Sequence, residues 1–114
     1  MATYVKINLS ASTDNMPIEI TDSATIGQTI HTAHATSLDE IYLWANNVHA
    51  SESGNITIEM GQAASKFTYF NVEPNKGLIV VVPGIHLTGS KLCTVFADAT
   101  GKFIVSGYII RYTA

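Results

Sequence analysis

A chain of 114 residues, 46% of them hydrophobic and 13% charged, is long enough to bury a single core without metal or disulfide staples. Its net charge of −3, with the lysines and Arg111 scattered and no two adjacent, argues against a nucleic-acid binder, which needs clustered cations to displace counterions from phosphates. One cysteine, Cys93, excludes an internal disulfide, and no apolar run approaches the length of a membrane span.

The charged fraction lies well under the roughly 25% of an ordinary soluble domain. Either part of the surface is covered by other protein, or serine and threonine hydroxyls solvate it in place of charges. The opening Met1-Ala-Thr-Tyr-Val-Lys6 lacks the charged-then-apolar layout of a signal peptide, so synthesis in the cytosol is expected.

In chain order, Tyr4 to Leu9 alternates, with Val5, Ile7 and Leu9 against Tyr4, Lys6 and Asn8, the period of a strand with one buried face. The polar stretch from Ser10 to Asn15 reads as a loop. Pro17 to Thr21 is a short strand with Ile18 and Ile20 inward, and Pro17 suits its first position. After a turn at Thr21-Asp22-Ser23, Gly27 to Thr32 is a weaker strand with Ile26 and Ile30 as its apolar points.

Ala33 to Ser37 reads as a loop. Ser37 and Glu40 have the spacing of a helix capping box. The alternation from Asp39 to Ala45 overrides it, placing Ile41, Leu43 and Ala45 on one face of a strand and Glu40, Tyr42 and Trp44 on the other. A polar loop from Asn46 to Asn55 precedes the cleanest alternation in the chain, Ile56 to Met60. Gln62 to Ser65 has the makings of a short helical turn, and Phe67 to Val72 is another strand.

The run Gly77-Leu78-Ile79-Val80-Val81-Val82-Pro83-Gly84 is continuously apolar between two turn signals. Its β-branched residues favour a pleated surface, and its lack of polar positions predicts a central strand covered on both faces. Ile85 to Leu87 continues it. Lys91 to Ala97 and Lys102 to Tyr112, joined by Asp98-Ala-Thr-Gly101, read as a closing hairpin. The expected fold is all-β, one antiparallel β-sandwich domain over residues 1–114, with eight or nine short strands in jelly-roll or Greek-key order.

Signals for chemistry are sparse. His31 and His34 are the only closely spaced metal-ligand types, and on a strand a spacing of three would set them on opposite faces. A third ligand would have to come from Asp39, Glu40 or a distant histidine, so neither a metal site nor any cofactor is expected. Asp39 and Glu40 diverge on a strand and do not suit paired acid/base work. Cys93 reads as a small buried hydrophobe rather than a nucleophile. Gly84, Gly89, Gly101 and Gly107 read as turn and strand-packing glycines rather than a phosphate loop. The outward aromatics carry more. Tyr42 and Trp44 on one strand, and Tyr108 and Tyr112 on the last, are of the residue types that most often anchor interfaces. The competing reading is that loops such as Asn46 to Asn55 fold over them.

Three phrases occur together: Leu9-Ser-Ala-Ser-Thr-Asp14 before Pro17-Ile18; Thr29-Ile-His-Thr-Ala33 leading to Leu38-Asp-Glu-Ile-Tyr-Leu-Trp-Ala-Asn46; and Gly77 to Gly84, with Ser106-Gly107-Tyr108 near the end. In this order the chain resembles small virion structural proteins of tailed bacteriophages, encoded close to the major capsid protein. The resemblance implies a non-enzymatic head decoration (cement) protein on the capsid exterior, with the major capsid protein as partner and no nucleic acid or membrane. Neck and tail positions are alternatives. A homotrimer is expected, because three-fold positions between capsomers are natural docking points and cyclic closure is common. Two rivals stand beside it. One is a carbohydrate-binding sandwich using Tyr42 and Trp44 as a platform near Glu40, Asn46 and Asn47; the other is a small enzyme built on His31, His34 and Cys93.

Overall fold

The computed structural model describes residues 2–114 in nine strands; Met1, the first residue of the segment read for a leader, lies outside the described residues. The topology is easiest to follow from mid-chain. There β5 (Gly54–Met60) and β6 (Lys66–Val72) form a hairpin, its turn closed by Ser65 N–H donating to the Gln62 carbonyl at 3.1 Å. The remaining pairs nest outward from it. β4 (Leu38–Asn47) pairs with β7 (Ile79–Leu87), and β3 (Gln28–Thr32) with β8 (Leu92–Ala97). Last, β1 (Thr3–Ile7) and β2 (Ile18–Glu19) lie end to end along β9 (Phe103–Thr113).

Every pairing is antiparallel, and the strands form a five-stranded sheet, β1-β9-β4-β7 with β2 also on β9, and a four-stranded sheet, β3-β8-β5-β6. The fold is therefore the expected all-β sandwich. Its strand order is that of a jelly roll, a long ribbon rolled into two Greek keys, with the first strand broken into β1 and β2 by the loop between them. Between the sheets, Ile41, Leu43 and Ala45 of β4 and Phe103, Val105 and Ile109 of β9 pack with Ile56 and Ile58 of β5 and Val95 of β8, all fully buried.

Several expectations change. The 78–82 run is not a doubly covered central strand: β7 is the edge of the five-stranded sheet. Its residues split, Val81 and Val82 being buried while Val80 is 50% exposed beside Trp44. An edge strand tolerates Pro83, which cannot donate to a ladder. Nor do the last two strands form a hairpin, because β8 and β9 lie in different sheets. The Asp98–Gly101 loop crosses between them, and its neighbourhood bonds to the β2–β3 connection instead: Ala97 N–H to Asp22 O (3.1 Å) and Gly101 N–H to Ile20 O (2.9 Å). Gln62 to Ser65 is the hairpin turn and not a helical one. Val5 and Ile26 point into solvent at 52% and 69% exposure, because β1 is an edge strand and Ile26 precedes β3.

Candidate functional site

The alternation of β4 and β9 that fills the core also sets what the five-stranded sheet shows outside. Tyr42 and Tyr108 sit directly opposite each other, their rings nearly parallel (22°) with centroids 5.1 Å apart. Trp44, two residues on, brings its ring to 5.8 Å from Tyr108. Lys6, on the β1 side, holds its Nζ 4.3 Å over the Tyr108 ring, in cation–π range. Tyr108 is thus flanked from both neighbouring strands. Space for this stack comes from glycines. A Cβ on Gly84 (φ +97°) would come 2.9 Å from Cε1 of Tyr42, and one on Gly107 would strike the Tyr42 carbonyl oxygen at 2.0 Å. Gly84 and Gly107 are packing glycines, as the sequence implied.

At the end of the sheet a second aromatic pair forms: Tyr112 lies between Leu38 of β4 and Tyr4 of β1, with Tyr4 and Tyr112 centroids 4.9 Å apart. So all four aromatics singled out in the sequence share one face. Tyr42, Trp44 and Tyr108 form one cluster and Tyr112 another, which recruits Tyr4. Between the clusters runs the row Lys6, Ile110, Glu40, His86, and Glu19 of β2, opposite Ile104, adds a further carboxylate at the far end of the face. Tyr42 OH donates to Glu40 Oε1 at 2.5 Å, and His86 Nε2 lies 3.0 Å from Glu40 Oε2. The Tyr42 hydroxyl, against the opposing effect of burial and with a smaller contribution from His86, holds the Glu40 carboxyl below its ordinary range. The same hydrogen bond raises the Tyr42 phenol. Two clefts indent the face. One of ~310 Å³ is lined by Tyr4, Leu38, Glu40, His86 and Tyr112, and one of ~390 Å³ by Lys6, Ile7, Asn8, Asn15, Gly107 and Tyr108.

No family model matches the chain, and no curated protein or solved structure matches it. Function must be argued from its own surfaces and its buried polar groups.

His31 and His34 do not converge. His31 is a buried residue of β3, not a loop histidine. Its Nδ1 accepts from Ser10 N–H (3.0 Å), which fixes the tautomer, so Nε2–H donates to Asp39 Oδ2 (2.7 Å). Asp39 faces inward, as the alternation requires, and is fully buried. Arg111 of β9 clamps it from the other side, Nε to Oδ1 at 2.7 Å and Nη2 to Oδ2 at 2.9 Å. Burial raises the Asp39 pKa, but Arg111, His31 and the His34 amide together outweigh it and bring the net value down. His34 instead organises its own loop, its Nδ1 accepting from Thr36 N–H and Ser37 N–H, and His49 does the same for Ser51 and Glu52. Cys93 is buried, and burial pushes its thiol up to about 12. It packs as a hydrophobe.

The sequence reading missed Glu59. Alternation assigns it to the outer face of the four-stranded sheet, yet it is buried, because the segment before β3 lies over it. Its carboxylate accepts from Thr25 Oγ1 (2.5 Å), Gly27 N–H (2.8 Å) and Thr94 Oγ1 (2.8 Å). Burial acts to raise its pKa, but these donors win and lower it. Lys102, also buried, sets Nζ near Ser53 O, Asp98 and Glu52 at 3.2, 3.5 and 3.6 Å. A lone acidic or basic residue in an alternating strand carries no sequence signal of what will cover it.

Proposed function

We propose that this chain is a non-enzymatic structural protein of a tailed-phage particle, a head decoration protein. In this reading it docks on the major capsid protein through the outward face of its five-stranded sheet. The observation that carries the reading is the concentration of paired aromatic rings on the outer face of the five-stranded sheet. The outer side of the four-stranded sheet is mixed: Thr57 and Thr94 are covered there, Thr57 and Thr68 hydrogen-bond at 3.0 Å, and Phe70 and Leu92 are exposed without forming an aromatic stack. The five-stranded sheet turns out Tyr4, Tyr42, Trp44, Tyr108 and Tyr112, with Lys6, Glu40 and His86 in one row between them and Glu19 at the far end. A solvated sheet face is ordinarily polar, whereas aromatics with few charges mark the centre of an interface. The resemblance in the strand and turn phrases, and the low charge of the whole chain, support the same reading.

The mechanism is interface burial. A shell is loaded at the seams between capsomers, and a protein that binds only the assembled seam stabilises the assembled state, as any state-selective ligand does. A homotrimer presents three such faces at once, so individually modest contacts add through avidity. A sugar-binding platform fits the geometry less well, since stacking a sugar needs an open ring face. Tyr108 is flanked by Tyr42 and Lys6, and Tyr42 spends one face on Tyr108.

Trp44→Ala tests the proposal. It should leave the β-sheet circular dichroism unchanged while weakening co-sedimentation with heads that lack the protein by about 2 kcal/mol, roughly thirtyfold. Light scattering of the free protein reads the trimer. A monomer that also ignores such heads overturns both parts, and a monomer that binds heads removes only the trimer.

A further inference from the structure

The cleft at the end of the aromatic face crosses all four strands of the main sheet order: Tyr4 from β1, Tyr112 from β9, Leu38 and Glu40 from β4, and His86 from β7. Its walls are aromatic and aliphatic, and its polar groups are the Glu40 carboxylate and the His86 imidazole. That carboxylate has one hydrogen bond on each oxygen, so lone pairs remain on both. The imidazole on Oε2 is 55% exposed and can yield its place without disturbing the core. The other charges nearby are turned elsewhere: Lys6 over the Tyr108 ring, and Arg111 inward on Asp39.

We propose that this cleft receives one arginine side chain of the docked partner. The inference rests on the docking reading above and names the chemistry that its charge-bearing row selects. Tilted tyrosine rings beside an ionised carboxylate suit a group that is planar, cationic and able to donate in a fork, and guanidinium meets all three conditions. An ammonium would satisfy the charge but not the stacking. The cleft's ~310 Å³ admits a single side chain and not a peptide strand.

The isolated protein can be titrated with N-acetyl-arginine methylamide at constant ionic strength, following amide and tyrosine ring resonances. Saturable millimolar shifts at Tyr4, Glu40, His86 and Tyr112 are expected. The citrulline analogue, equal in shape but uncharged, should bind at least tenfold more weakly. Glu40→Gln, a partly exposed substitution that leaves the fold intact, should erase the difference between the two probes. Equal affinity for arginine and citrulline in the wild type, or an arginine preference that survives Glu40→Gln, overturns the proposal. Head binding is a separate readout: a protein that binds the arginine probe but ignores heads keeps the cleft and loses the decoration reading. The converse result loses only the cleft.

Discussion

Replacing Asp39 by alanine would be the most damaging polar change in this protein. The side chain is fully buried and accepts four hydrogen bonds: two from Arg111 (2.7 and 2.9 Å), one from His31 (2.7 Å) and one from the His34 amide (3.2 Å). Alanine leaves all these donors facing a void, one of them cationic. Removing one partner of a buried ion pair costs about 3–5 kcal/mol. The Arg111 side chain is 27% exposed and water can reach it, which places the loss near the lower end, at ~3 kcal/mol. For a domain of this size that corresponds to a fall in Tm of about 12 °C. The assay is thermal and urea unfolding followed by circular dichroism. Acid adds a sign. Because the folded-state pKa of Asp39 is lowered, its stabilisation is complete above the unfolded-state value and is lost as pH falls through the folded one. The gap between wild type and Asp39→Asn should therefore narrow on acidification below the ordinary carboxylate range. A neutral-pH loss for Asp39→Ala under about 1 kcal/mol would refute the reasoning.

Two further predictions come from burial. Glu59→Gln keeps the shape but puts an amide NH₂ against donors from Thr25, Gly27 and Thr94. The expected cost is about 1–2 kcal/mol, with faster hydrogen exchange at the Gly27 amide, and unchanged exchange there would show that Glu59 does not hold the segment. Since the Glu59 pKa is also lowered, its contribution likewise fades as pH falls, and the variant's acid profile should be flatter than wild type's. Val80→Asp, on the half-exposed side of the edge strand, should cost no more than about 1 kcal/mol. Val82→Asp puts an unpaired carboxylate into the core at a cost of several kcal/mol and should prevent folding. Equal damage from the two would contradict the edge placement of β7.

What the sequence disclosed was local. Ile41, Leu43 and Ala45 inward with Tyr42 and Trp44 outward, and Phe103, Val105 and Ile109 against Tyr108 and Tyr112, follow from a period of two and hold in the structure. Which strand meets which does not follow from any period. Asp98-Ala-Thr-Gly101 has the composition of a hairpin turn, yet the same residues serve a crossing between sheets, because both strands offer one apolar face either way. The 78–82 run failed for a related reason: a continuous apolar stretch does not say whether its second face meets protein or water. Buried carboxylates were illegible for the opposite reason. Glu59 looks like a solvated position until the segment before β3 is brought against it, and Asp39, although on the inward face by alternation, gives no sign of the Arg111 that pairs with it.

The nested ribbon ties the aromatic face, proposed above for docking, to the core. Tyr42 and Tyr108 are far apart in sequence and meet only because β9 returns to pair with β4 in one register. A slip of β9 by a single residue would send Tyr108 and Tyr112 inward and turn Val105 and Ile109 out to water. Burial of those two side chains, each worth about 1.5–3 kcal/mol, is therefore what holds the tyrosines on the surface. Gly107 reinforces the same register, since it is the residue whose missing side chain lets β9 approach the Tyr42 carbonyl. The aromatic stack is in this sense a product of core packing. A variant that loosens Val105 or Ile109 should disturb the aromatic stack, and with it the proposed docking, without touching any residue on the aromatic face.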